Sequence, residues 1–143
     1  MEDARIAGDA MGGARRWLEG AKLNAEVGNY DSALYSLEMA VEISFKAVLL
    51  AMHMEVPKTH NVADVLAQAI GSDRAASAAL AGKMDDMRDT FRSLLELRGI
   101  SSYMYETRYD MKRLKGKYEA YLGPAEDAIN ACGSAVRQMA KHG

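Results

Sequence analysis

The residues best suited to chemistry lie in one stretch, where a long helical pattern ends and tyrosines and basic residues follow. Arg98 continues an apolar helical row formed by Leu80, Met84, Met87, Phe91, Leu94 and Leu95. Its guanidinium must be paired, exposed at a helix end or used in a functional site, because burying it alone is very costly. Three of the seven tyrosines, Tyr103, Tyr105 and Tyr109, follow closely. A guanidinium can hold a phosphate through its fork of N–H donors, and a tyrosine ring can stack on a base. These residue types indicate a site for nucleotide or RNA.

The residues that follow are mostly basic and extend this candidate site. Asp110 is the one acidic residue among five basic ones, which are Arg108, Lys112, Arg113, Lys115 and Lys117. The whole chain has a net charge of -2 and a pI near 5.9, so it has no global basic field that would attract nucleic acid. Any such binding must therefore be local. A solvated helix face is the alternative interpretation of this basic run.

Several other classes of function are disfavoured by what the sequence lacks. None of His53, His60 and His142 has a glutamate three residues before it, as a di-iron bundle requires, and no Gly-rich phosphate loop is present. The single cysteine, Cys132, lies on an apolar helical row and is expected to be a core residue. We predict no metal and no cofactor. With no disulfide pair, no signal sequence and no apolar run of ~20 residues, we expect a cytoplasmic protein that does not enter a membrane.

The element that must position these residues is a helix predicted over residues 31–54. It has two adjacent apolar rows, which are Leu34, Leu37, Val41, Phe45, Val48 and Met52, and Ala33, Ala40, Ile43, Ala47, Leu50 and Met54. Its remaining polar strip holds Tyr35, Glu38, Glu42, Lys46 and His53. A helix with two apolar rows must be surrounded by other helices. Asp31 is the expected N-cap, and Pro57 is expected to end the helix.

The rest of the chain also reads as helix. We predict a first helix from Ala14 to Gly28 after a frayed start over residues 1–13, and a short helix from Val62 to Gly71 with Thr59 or Asn61 as its N-cap. One long helix is predicted from Asp73 to Gly99, and a last one starting at Gly123 and Pro124. The prediction is an all-α, up-and-down antiparallel bundle of five or six helices in one domain over residues 1–143.

The central helix and the segment after it resemble a known family, the HEPN domain. The residues that carry the resemblance are Tyr30, Asp31, Ala33, Ala40, Glu42, Lys46, Ala47, Thr59, His60 and Asn61, within a likeness that spans about residues 14–141. HEPN domains are small helical bundles found beside minimal nucleotidyltransferases in bacteria and archaea. The resemblance implies a homodimer that forms a toxin and antitoxin pair with such a nucleotidyltransferase.

Ribonucleases of this family carry Arg, four residues, His, one residue and Tyr near the end of the penultimate long helix. Arg98, Tyr103 and Tyr105 have this spacing, and Tyr103 stands at the position of the histidine. The resemblance therefore implies catalytic roles for Arg98 and Tyr103. A phenol with a pKa of ~10 is a poor base for the 2'-hydroxyl of RNA near neutral pH. Binding is therefore easier to support than cleavage. The expected binding residues are Arg98, Tyr105, Arg108, Tyr109, Lys112 and Arg113.

Residues 105–110 also resemble the Tyr-x-x-Thr/Ser-Arg-Tyr-Pro-Asp stretch of another HEPN branch that lacks the histidine, although the proline is missing here. In that pairing the nucleotidyltransferase can attach AMP to a tyrosine of the toxin, which by position would be Tyr105.

Supporting roles are expected for Glu42, Lys46 and His60, although each has a simpler interpretation. Glu42 and Lys46 suit an exposed i,i+4 ion pair, and His60 suits a helix cap. Arg98 is expected to pair with Glu38 or Glu42, and the tyrosines can instead pack at a dimer contact. Two alternative functions stay open. One is an active metal-independent ribonuclease, and the other is a helical interaction module like a tetratricopeptide unit.

Overall fold

The structure is a computed structural model that describes residues 2–58, 61–102 and 110–142, with 99–102 described through their backbone only. The described ranges form six α-helices: α1 Glu2–Glu26, α2 Tyr30–Ala51, α3 Val62–Ala69, α4 Arg74–Leu80, α5 Met84–Ser102 and α6 Met111–His142. Two short 3-10 helices, Ile70–Ser72 and Ala81–Lys83, flank α4. The predicted all-α bundle is confirmed. No helix in the described ranges is long and apolar enough to cross a membrane.

Helix α2 lies at the centre of the bundle and contacts α1, α3, α5 and α6. Leu34, Leu37, Val41 and Phe45 are fully buried on it, and the Phe45 ring meets that of Phe91 on α5 in an edge contact with centroids 5.3 Å apart. Burying each such side chain contributes roughly 1.5–3 kcal/mol. The predicted central position of this helix is therefore confirmed. A closed bundle around one helix also argues against the stacked helix pairs of a tetratricopeptide array.

Both predicted ends of α2 are wrong. The helix begins at Tyr30, so Asp31 lies inside its first turn and is not the N-cap. The N-cap residue is Asn29, whose side chain makes no capping hydrogen bond. It ends at Ala51, well before Pro57, because the chain turns through His53 in a left-handed conformation with φ of 60°. The backbone N–H of Met52 still donates to the carbonyls of Val48 and Leu49. The turn thus provides hydrogen-bond donors for the last carbonyls of the helix, and proline is not needed to end it.

The predicted frayed start is also wrong, since α1 begins at Glu2 and continues through Gly8, Gly12 and Gly13. Ala7, Met11 and Ala14 are buried in the core on this helix. Their packing offsets the low helix propensity of glycine, because tertiary contacts supply most helix stability in proteins. The end of α1 is as expected, with Gly28 at a φ of +83° that suits glycine.

The long helix predicted from Asp73 to Gly99 is two helices. Asp73 caps α4, as its position suggests, by accepting a hydrogen bond of 2.8 Å from the N–H of Ala76. The turn Ala81–Lys83 then separates α4 from α5, while Leu80 and Met84 on either side of it are buried. Redirecting the chain at this turn lets both helices bury their apolar rows.

The last helix does not start at Gly123 and Pro124. Helix α6 begins at Met111, where the Asp110 carboxylate accepts a hydrogen bond of 2.9 Å from the N–H of Arg113, and it continues through Pro124. Proline removes one helical hydrogen bond, but Pro124 and Ala120 are both exposed, so water can satisfy the Ala120 carbonyl. Ala125 and Ile129 are buried and hold the helix against the core.

Candidate functional site around Arg98

Arg98 lies on α5 and packs against the polar strip of α2. Its Nη1 donates a hydrogen bond of 3.1 Å to Oε2 of Glu38, and its guanidinium carbon lies 4.6 Å from the centre of the Tyr35 ring. A charge-assisted hydrogen bond and a cation–π contact thus fix the orientation of the guanidinium. The predicted pairing of Arg98 with a carboxylate of α2 is confirmed, and its partner is Glu38. The Arg98 side chain keeps 26% of its surface exposed, so solutes can reach it.

Glu38 is a buried carboxylate with an unusual proton affinity. It is fully buried, and burial raises its pKa to about 8, helped by a hydrogen bond with Glu42 and by the negative charge of that neighbour. The charge and hydrogen bond of Arg98 oppose this rise in the pKa. Among the described residues, Glu38 Oε1 has no hydrogen-bond donor. Keeping a proton on Glu38 lowers the cost of holding two adjacent carboxyls away from water, because only one of them then carries a negative charge.

Glu42 and Lys46 form the expected i,i+4 pair, but in a different environment from the one predicted. Lys46 Nζ donates a hydrogen bond of 3.0 Å to Glu42 Oε2. The Glu42 side chain is only 6% exposed and Lys46 is 28% exposed, so the predicted exposed surface pair is wrong. Attraction between such charges is stronger where water is excluded. Two carboxyls and two cations therefore meet at this junction of α2 and α5.

Tyr35 is a site residue that the sequence prediction of the site did not include. Its ring lies between Arg98 and Trp17 of α1, with the Trp17 and Tyr35 centroids 6.1 Å apart in an edge contact. Its position three residues before Glu38, on the same polar strip, was the available signal. Helices α1, α2 and α5 thus all contribute to holding one guanidinium.

The remaining predicted site residues divide into two groups. Lys112 and Arg113 lie exposed in the first turn of α6. The other predicted residues lie outside the described part of the chain, and they are His60, Tyr103, Tyr105, Arg108 and Tyr109. The structure therefore brings Glu38, Glu42, Lys46 and Arg98 together, and their relation to the tyrosine stretch stays a prediction.

Two further predictions from the sequence concern the single thiol and the absence of a metal site. Cys132 is fully buried in α6, and burial raises the pKa of its thiol, so the predicted core role is confirmed. Within the described ranges, no three or more His, Cys, Asp or Glu side chains are grouped so that they could hold a metal ion.

The chain belongs to the HEPN domain family, since the model of that family matches residues 7–139 of its 143 residues. The match agrees with the resemblance seen in the sequence and includes all four charged residues of the site. No curated protein shows significant similarity to the chain. That one domain extends over the full 143 residues stays a prediction.

Proposed function

We propose that this HEPN protein is the toxin-like partner of a minimal nucleotidyltransferase, and that it binds nucleotide or RNA at the Arg98 end of α5. The observation that carries this proposal is the state of Arg98. The guanidinium is oriented by Glu38 and Tyr35, and the Arg98 side chain nevertheless remains 26% exposed. An oriented and reachable guanidinium is suited to a phosphate group, because its planar fork matches phosphate oxygens.

The basic start of α6 supports a polyanionic ligand. Lys112 and Arg113 follow the end of α5 after a short connection and are exposed to solvent. Exposed cations contribute to phosphate binding mainly through counterion release, which makes the affinity depend on salt. The proposed binding set is Arg98, Tyr105, Arg108, Tyr109, Lys112 and Arg113. A cytoplasmic location and a homodimer, as the sequence predicts, are part of the same proposal.

A binding assay with a matched control tests this proposal. Fluorescence anisotropy of a labelled single-stranded RNA and of a labelled ATP analogue would be measured at two salt concentrations. We expect Arg98→Ala to weaken binding about tenfold or more for at least one probe. Arg92→Ala is the control, since Arg92 is also on α5 but is 62% exposed, and its ion pair with Asp89 is long, with 3.9 Å between the nitrogen and oxygen atoms. Equal effects of both variants, or no binding of either probe, would contradict the proposal.

Modification by the partner requires a separate measurement. Intact-mass analysis after incubation with a cognate nucleotidyltransferase and ATP should show the added mass of AMP. The Tyr105→Phe variant should not gain that mass, because it lacks the hydroxyl that would attack the α-phosphate of ATP and displace pyrophosphate. A chain that gains no mass, or a Phe variant that gains it equally, would remove Tyr105 as the acceptor.

The ribonuclease alternative is tested by checking whether the RNA in the same binding samples is cleaved. Cleavage would need a group that takes the 2'-hydroxyl proton near neutral pH, and Glu38 cannot reach RNA because it is fully buried. We therefore expect the RNA to remain intact in the binding assay. Cleavage that Arg98→Ala abolishes would favour the enzyme over the binding protein.

A further inference from the structure

Along much of its length, one face of α6 is not covered by the other helices that the structure describes. Successive residues on this face are separated by four and three positions in turn, a spacing that keeps them on one side of a helix. We call it the α6 stripe, and its residues are Arg113, Lys117, Ala120, Pro124, Asp127, Ala131 and Ser134. All of them are exposed or half-buried except Ala131, which is buried and lines a groove.

The second half of the α6 stripe lies along a groove between α5 and α6. The groove has a volume of about 850 Å³, and Thr90 and Ser93 of α5 line it opposite Ala131 and Ser134. These four side chains are small, so another backbone can come close at this part of the groove. Thr90 is a buried polar residue at this groove, only 8% exposed.

Charge is distributed unevenly along the α6 stripe. Its first half carries the cations Arg113 and Lys117, which flank a shallow surface depression with Gly116 and Ala120. Its second half carries Asp127, and the facing wall of α5 adds Asp86 and Asp89, with Lys83 as a basic residue at the groove. One end of the α6 stripe is therefore basic, the other end is mainly acidic, and the middle is small and uncharged.

We propose that the α6 stripe is the surface on which a second copy of this chain docks, with the two α6 helices antiparallel about a twofold axis. A surface that is basic at one end and acidic at the other is complementary to its own rotated copy, as a twofold interface requires. This inference deepens the homodimer part of the proposed function by assigning its surface.

The positions of the charges fix one register. In an antiparallel helix pair, facing residues have a constant sum of their numbers. Setting Lys117 opposite Asp127 places the twofold axis at the level of Leu122 and places Ala120 opposite Pro124. Lys117 and Asp127 are ten residues apart, or ~15 Å along the helix, so each dimer has two such pairs around a small central contact. Arg113 then faces Ala131, at the groove that carries Asp86 and Asp89.

Charge reversal measured by sedimentation equilibrium tests this register with the whole chain. We expect Lys117→Glu and Asp127→Lys each to weaken the dimer about tenfold or more, because each places like charges together twice. The double variant Lys117→Glu with Asp127→Lys restores both pairs in reverse and should return the dimer Kd to within about threefold of wild type. Added salt should weaken the wild-type dimer.

The matched control reverses a pair outside the α6 stripe. Lys115 and Glu119 are exposed on another face of the same helix, with Nζ and Oε1 4.0 Å apart, so Lys115→Glu with Glu119→Lys should leave the dimer Kd unchanged. A wild-type chain that stays monomeric, single reversals with no effect, or a double variant without recovery would each overturn the assignment. Failure of nucleotide or RNA binding at Arg98 would not alter this pattern. Single reversals with no effect on an existing dimer would remove only the α6 assignment, whereas a monomeric wild-type chain would also remove the homodimer from the proposed function.

Discussion

Arg98 on α5 and Glu38 on α2, sixty residues apart in the chain, are joined by a hydrogen bond of 3.1 Å between Nη1 and Oε2. This contact connects the guanidinium of Arg98, whose side chain is 26% exposed, to a fully buried carboxyl, which in turn interacts with Glu42. Protonation of a buried acid and orientation of an accessible cation are therefore coupled. The first two predictions follow from that coupling.

The stability of the protein should fall as pH rises because of Glu38. Its pKa is about 8 in the folded chain against 4.5 as the ordinary value, so the folded state holds a proton that the unfolded state releases. The contribution is fully present below about pH 4.5 and is lost as pH rises through 8. Glu38→Gln should remove this dependence and stabilise the protein at pH 8 by roughly 1–3 kcal/mol relative to its effect at pH 5. Urea unfolding across this pH range measures it, and parallel curves for both proteins would contradict the prediction.

Removing Arg98 should make the buried carboxyl more costly to ionise. Arg98→Ala takes away the cation that opposes the rise in the Glu38 pKa, and it should destabilise the protein by about 1–3 kcal/mol at pH 8 and by less at pH 5. The same substitution in a Glu38→Gln background should cost less than in the wild type, because a neutral side chain needs no counter-ion. A double-mutant cycle from chemical unfolding gives the coupling, and additive effects would argue against it.

Two aspartates at helix starts should differ in their contribution to stability. Asp73→Ala should destabilise the protein by about 1 kcal/mol, because its carboxylate caps α4 with a hydrogen bond of 2.8 Å to the N–H of Ala76. Asp31→Ala removes a carboxylate from the first turn of α2 but not its N-cap residue, and it should cost no more than about 0.5 kcal/mol. Thermal unfolding of both variants compares them directly. A larger loss for Asp31→Ala would restore the capping role that the sequence predicted.

The single thiol should report on global unfolding. Cys132 is fully buried, and burial raises the pKa of its thiol, so the native protein should not react with a thiol reagent at pH 7. Reactivity should appear together with the loss of helix in denaturant. Cys132→Ser should cost about 1–3 kcal/mol because it buries a hydroxyl in an apolar site, whereas Cys132→Ala should cost less. Rapid labelling of the folded protein would contradict this.

The sequence by itself determined which parts of the chain form the core. Two apolar rows on one helix are possible only with neighbours on several sides, and α2 is indeed buried by α1, α3, α5 and α6. The burial of Cys132 and the need of Arg98 for a partner also followed from helical periodicity. The apolar row of a helix faces the core regardless of which element packs against it. Residue order likewise sufficed to identify the family, since its pattern lies in α2 and the segment after it.

Only the tertiary structure decided where helices end and which charges meet. Pro124 lies inside α6 because its missing hydrogen bond falls on an exposed face, and α1 includes glycines because Ala7 and Met11 pack in the core. The pKa of Glu38 depends on how much of it is buried and on the distances to Glu42 and Arg98, and these are properties of three-dimensional packing. Local sequence determines which face of each helix is apolar. The burial of a particular side chain and the pairing of charges arise only when the faces of helices from distant segments come together.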